Sequence, residues 1–135
     1  MEKLPLQRIV EVAFLTSNID KCAEFYNKLG IEYPEIDKNK VQFAEVGEQL
    51  FGFSDQDRGF FTGYNEEFIK APLHIAFEIP FDSIDECIEF LRLKNVTCSP
   101  KVENSPGFHG VTRSISVYFK DPAGNIIELW APFRS

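Results

Sequence analysis

The chain has 135 residues, 44 % of them hydrophobic, with a formal net charge of −7 and no long apolar run. That length sustains one domain with a real core. The acidic balance argues against nucleic-acid binding, and the lack of an apolar run argues against a membrane span. The N-terminus "MEKLPLQRIVEV" has no signal-peptide apolar region, so a cytoplasmic chain is expected. Three cysteines stand without metal-ligand spacing and read as free, mostly buried thiols. Two histidines, His74 and His109, are too few for a three-histidine zinc site.

In chain order, "RIVEVAFLT" (8–16) alternates and is rich in branched residues, which predicts a strand. Ser17 or Asn18 can cap the helix that follows, with Ile19, Cys22, Ala23 and Tyr26 on its buried face and Gly30 at its end. "IEYPEI", "KVQFAEV" and "EQLFGFS" read as three short strands, with Asn39 and Gly47 near the turns. Residues 55–71 show no clean period and carry Phe60, Phe61, Tyr64 and Phe68, which reads as a connection packing partly over a cavity or as a loop held down by aromatic anchors.

"PLHIAFEI" opens a second series as a strand. Asp82 or Ser83 then caps a helix, and Ser83 with Glu86 has capping-box spacing. Ile84, Cys87, Ile88 and Leu91 form the buried face of that helix. "VTCSPKV" reads as a strand, "ENSPGFHGVTR" as a polar loop, "SISVYFK" as a strand, "DPAGN" as a turn and "IIELWAP" as the last strand.

The two series repeat one another. "IDKCAEF" from Ile19 and "IDECIEF" from Ile84 lie 65 positions apart, while "EVAFL" from Glu11 and "HIAFE" from His74 lie 63 apart. The repeat predicts an α+β fold of two βαβββ modules forming a half-open barrel around a shared cleft. The whole chain, 1–135, is then one domain, with module one at about 8–54, a linker at 55–71 and module two at about 72–132.

Strand alternation selects what faces the cleft. Val12 and Phe14 must meet a helix, so Glu11 faces away from it, and the same reasoning turns His74, Gly52, Ser116, Tyr118, Glu128 and Trp130 into the cleft. Glu11, His74 and Glu128 are ionisable groups aimed at one concave surface from three strands, which is costly unless they are paired or bind a metal. One imidazole and two carboxylates suit zinc, manganese, nickel or iron and leave positions open for substrate. His109, in the Gly-containing loop, reads first as an exposed histidine and second as a lid residue doing acid–base work near pH 7. Glu11 and His109 are the candidate catalytic groups. Gly52, Arg113, Tyr118 and Trp130 are the candidate substrate contacts.

"YFKDPAGNIIELWAP" resembles the C-terminal signature of the vicinal oxygen chelate superfamily, and "NIDKCAEFYNKLGI" resembles that group's first helix. The superfamily includes glyoxalase I, extradiol dioxygenases, fosfomycin-resistance thiol transferases, methylmalonyl-CoA epimerase and bleomycin-resistance proteins. The resemblance covers about Ile9 to Trp130 and implies a glyoxalase-like fold. It places the first-strand ligand, usually His or Gln, on Glu11, the fifth-strand His on His74 and the last-strand Glu on Glu128. A further glyoxalase ligand falls near Gly52, which cannot ligate. The resemblance implies a divalent-metal enzyme acting on a small oxygen-chelating substrate, of isomerase or lyase, thiol-transferase or dioxygenase type. The alternative is a metal-free protein that sequesters a drug or metabolite, as bleomycin-resistance proteins do. A homodimer formed by exchange of modules is compatible with either.

Overall fold

The computed structural model describes residues 1–34, 40–64 and 67–134. A seven-stranded sheet carries the fold, in the order β2-β3-β1-β6-β9-β8-β7, open at its two edges. The first module supplies β1 (Arg8–Thr16), α1 (Ile19–Lys28), β2 (Val41–Val46) and β3 (Gln49–Asp55). Between the modules lies a short hairpin, β4 (Phe60–Phe61) and β5 (Phe68–Ile69). The second module supplies β6 (Leu73–Glu78), α2 (Ile84–Leu93), β7 (Val102–Glu103), β8 (Ser114–Lys120) and β9 (Ile126–Pro132). Among the described residues no helix is long and apolar enough to cross a membrane.

Both helices cover the same face of the sheet. Ile19 and Ala23 of α1 pack with Phe14 and Phe53, and Ile84, Cys87 and Leu91 of α2 pack with Val117 and Leu129. Each fully buried large side chain of this kind contributes on the order of 1.5–3 kcal/mol. Asn18 caps α1 as expected, accepting a hydrogen bond from the Lys21 amide, and Gly30 follows the helix at φ 97°. The expected capping box at α2 does not form. A 3-10 turn at Phe81–Ser83 leads straight into the helix, and the Ser83 hydroxyl donates back to the Pro80 carbonyl instead. Gly47 makes the two-residue β2–β3 turn at φ 64°, a conformation glycine adopts without strain.

Two expected strands are reduced. Ile31–Pro34 of "IEYPEI" form no strand, and residues 35–36, like Asn39, lie outside the described residues. Pro34 cannot donate to a ladder, and the Tyr33 ring packs edge-on to Phe53 at 5.0 Å, as part of the core beneath α1. Of "VTCSPKV" only Val102 is strand. Upstream of Pro100, the Ser99 amide donates to the Tyr118 carbonyl, and the Ser99 hydroxyl accepts from the Tyr118 amide. A side chain thus replaces one rung of the ladder. The linker, expected to lack strands, contains the β4–β5 hairpin, which drives the Phe60 ring into the cleft.

Candidate metal centre

β1 and β6 lie antiparallel at the middle of the sheet, with Val12 directly opposite Ile75. These two residues are 63 positions apart, the same spacing as the repeat. Glu11 stands opposite Ala76, and Ala13 opposite His74, so Glu11 and His74 hold equivalent places in the two modules. β9 runs parallel to β6 on its other side and sets Glu128 beside Ala76. Glu11, Ala76 and Glu128 therefore form one row across three strands, with His74 one step along β6. Ala76 has no exposed surface, and its small side chain leaves room above it for the two carboxylates.

The pairing of β1 and β6 slips between Ile9 and Glu11, where Val10 is the extra residue of a β-bulge. Val10 consequently packs on Ala76 and Trp130, on the face that Glu11 also uses. The bulge immediately precedes Glu11 in the chain. Downstream of it, the alternation from Glu11 to Leu15 is regular.

Glu11, His74 and Glu128 converge and are buried, with their candidate ligand atoms all within 4.8 Å of one another. His74 Nδ1 lies 3.1 Å from Glu11 Oε2, and His74 Nε2 lies 3.0 Å from Glu128 Oε1. The Ser116 hydroxyl donates to the other oxygen, Glu128 Oε2, at 2.6 Å. Asn104 Nδ2 donates in turn to the Ser116 and Ser114 hydroxyls at 2.9 and 3.0 Å. Burial pushes the His74 pKa down, but the bond to Glu128 and the charges of Glu11 and Glu128 outweigh it, and the net direction is up. Burial pushes Glu128 up, and the opposing bonds and charge from His74 and the Ser116 hydroxyl leave it below its ordinary value.

The turn "DPAGN" fixes this geometry from outside the cleft. The Asp121 carboxylate accepts from the Ala123 and Asn125 amides, Gly124 turns at φ 86°, and Asn125 Oδ1 accepts from the Leu73 amide. That last bond ties the start of β6 to the start of β9, and so sets His74 against Glu128.

A cavity of about 510 Å³ opens onto the triad. Phe43, Phe60, Phe108 and Tyr118 line it together with Ser54 and Thr62. This size fits a small molecule, and the lining is apolar with a few convergent polar groups. Burial, then the charges of Glu128 and Glu11, hold the Tyr118 hydroxyl far above its ordinary pKa, so it stays protonated.

The other anticipated residues divide. His109 is not exposed: its side chain is 5 % accessible, and Nε2 lies 3.3 Å from Glu11 Oε1. The residue adopts φ 52°, and its ring stands 4.7 Å from that of Trp130. Trp130 faces the cleft side, yet it is 1 % accessible beneath Phe108 and does not line the cavity. Gly52 does not line it either. A Cβ there would lie 2.3 Å from both the Gln42 carbonyl oxygen and the Phe43 ring, which fills the space. Arg113 points outward, pairing with Glu103 at 3.1 Å and stacking over Phe81. Alternation places Ser116 in the cleft, but its role emerges only from its bond to Glu128. The sequence offers Phe60 only as one of four aromatics in the connection and Asn104 only as the start of a polar loop, because only the folded connections bring them to the site.

The registers also explain the fourth ligand position. Ala13 pairs with Gly52 as Ala76 pairs with Glu128. Gly52 is thus the repeat mate of Glu128, so at this register the second module carries a carboxylate and the first carries none.

No protein-family profile matches the chain. Metallothiol transferase FosB of Shouchella clausii is 26 % identical over 124 residues, covering 90 % of this chain and 77 % of that protein. A glyoxalase/bleomycin resistance protein/dioxygenase superfamily member from Vibrio splendidus superposes at TM-score 0.60 with 10 % identity, covering 92 % of this chain and 97 % of that one. Methylmalonyl-CoA epimerase of Streptomyces coelicolor gives 0.58 with 19 % identity, covering 96 % and 99 %. Homoprotocatechuate 2,3-dioxygenase of Brevibacterium fuscum gives 0.65 with 14 % identity, covering 98 % of this chain and 34 % of that one. Fold and cleft are those of a paired-module, glyoxalase-like protein. The chain has the fold of these solved structures.

Proposed function

We propose that the protein is a divalent-metal-dependent enzyme acting on a small substrate that presents adjacent oxygens, with thiol-transferase or isomerase and lyase chemistry as its class. The observation that carries this reading is the convergence of Glu11, His74 and Glu128 at the floor of a cavity of substrate size. The donor set fits zinc, manganese, nickel or iron(II): one nitrogen and two carboxylates, buried, with an open side toward the cavity. When bound, such an ion supplies Lewis-acid stabilisation of charge developing on a substrate oxygen.

The chain's own groups do the rest. Ser116 holds one oxygen of Glu128 and leaves the other turned to the centre. The rings of Phe43, Phe60 and Phe108 exclude water from the cavity wall. Tyr118, kept protonated, is a neutral hydroxyl lining the cavity. Glu11 lines the cavity and is the group placed to accept a proton there, with His109 behind it at 3.3 Å. The similarity to a metallothiol transferase supports the transferase class.

One observation favours the alternative of a metal-free binder: His74 already meets a carboxylate at each ring nitrogen, an arrangement that is satisfied without an ion. Water-proton relaxation with Mn²⁺ separates the two. The enzyme reading predicts enhanced relaxation when Mn²⁺ binds, quenched by oxalate as a bidentate oxygen ligand. Absence of enhancement rejects it in favour of the binder.

A further inference from the structure

The segment joining β7 to β8 reaches both carboxylates of the triad, Glu11 directly and Glu128 through Ser116, in each case at the oxygen that does not face His74. Asn104, at one end of the segment, donates through Nδ2 to Ser116, and Ser116 donates to Glu128 Oε2. His109, near the other end, brings Nε2 to 3.3 Å from Glu11 Oε1, while Oε2 of the same carboxylate faces His74. His109 Nε2 is buried and makes no aligned hydrogen bond, and a buried donor or acceptor of this kind calls for a partner such as Glu11 Oε1 at 3.3 Å.

The backbone is built to hold this placement. Gly107 at φ 90° and Gly110 at φ 77° bracket His109, which is itself left-handed at φ 52°. A left-handed residue other than glycine persists only where its surroundings over-determine it. Here the Gly107 amide donates to the Val111 carbonyl and the Gly110 amide to the Gly107 carbonyl, both at 2.8 Å. Phe108 and Val111 pack onto Val10, Ala76 and Trp130, and the His109 ring stands edge-on to Phe108 at 4.4 Å. His109 is not a member of the converging ligand group. It acts through Glu11.

We propose that the segment 104–111 is a clamp that positions both carboxylate ligands, His109 fixing Glu11 and Asn104 fixing Glu128 through Ser116. The inference rests on the metal reading above. It adds that metal affinity and the order of this segment are coupled, and by linkage each changes the other by the same factor. Outer partners of metal ligands typically contribute about 10–100-fold in affinity.

The test has two arms. In the first, Co²⁺ is titrated into the wild type, His109→Leu, His109→Gln and Asn104→Ala. Affinity should fall by about 10–100-fold in His109→Leu and Asn104→Ala, and His109→Gln, which keeps an N–H at similar reach, should recover most of the loss. The visible spectrum of bound Co²⁺ should keep its band positions in every variant. Wild-type affinity in His109→Leu, or a shifted spectrum showing that His109 itself ligates, overturns the clamp. The second arm uses metal-free protein and reads amide hydrogen exchange at 104–111 in Glu11→Ala and Ser116→Ala. Both substitutions should speed it, and unchanged exchange in both overturns the clamp. If the wild type binds no Co²⁺, the proposed function fails, and the second arm alone decides the clamp.

Discussion

Glu11 and Glu128 flank Ala76 from opposite sides, in one row across β1, β6 and β9. The methyl group between them is what allows two carboxylates and an imidazole to share one floor. A larger side chain there would occupy the space in which the ligand atoms meet. Ala76→Leu should destabilise the protein by about 1–3 kcal/mol through overpacking. It should also lower metal affinity by at least about 10-fold although no ligand is changed. Thermal melts and a metal titration of the same variant check the two effects.

Removing a ligand should act on the metal more than on the fold. Glu128→Gln keeps an acceptor for Ser116 and a group of the same size beside His74. Far-UV circular dichroism should be unchanged, while metal affinity should fall by more than the roughly 10–100-fold typical of outer partners. His74→Ala should likewise lose the metal and keep the fold, because His74 lies on the cleft face and not against α2.

The metal-free protein should have a characteristic pH dependence. The folded pKa of His74 is raised above 6.5, so its stabilising effect is fully present below that value and is lost as pH rises through the folded pKa. Glu128 is lowered from 4.5, so its contribution is present above 4.5 and is lost as pH falls through the depressed value. The melting temperature should therefore fall on both sides of a plateau between roughly pH 4.5 and 6.5. The alkaline decline should be absent in His74→Gln. A wild-type melting temperature that rises from pH 6 to 9 would contradict the pairing of His74 with two carboxylates.

Much of this was legible because sheets impose period two. Val12 and Phe14 had to meet a helix, and that placed Glu11 in the cleft. Ile75 with Phe77 and Ile127 with Leu129 did the same for His74 and Glu128. The repeat offset survives as the pairing of Val12 with Ile75. The bulge at Val10 was hidden, since one extra residue leaves no mark in composition. His109 was misplaced for a related reason. A Gly- and Pro-containing stretch reads as exposed, whereas here paired glycines turn the chain back so that Phe108 and His109 are covered. Ser99 likewise replaces a ladder bond with its side chain, which no propensity records.

Gly52 offers a test of packing apart from the metal. It pairs with Ala13 and Phe43, and the Phe43 ring lies over the position a side chain would need. Because one of the two closest atoms is the backbone oxygen of Gln42, the strands must shift to admit a methyl group. Gly52→Ala should cost about 1–3 kcal/mol. Urea denaturation at constant m-value checks it. A neutral result would mean that β2 sits further from β3 than the structure has it.

The central claim, that Glu11, His74 and Glu128 hold one divalent ion, is tested most directly by titration calorimetry of the chelator-stripped wild type with zinc, manganese, nickel and iron(II). The account predicts one ion per chain for at least one of these metals. Heat in buffers of different ionisation enthalpy should show proton release that grows as pH is lowered, because the ion must displace any proton held by His74, whose pKa is raised. Binding should disappear in Glu128→Gln. No binding by the wild type, or equal binding by the variant, would contradict the claim.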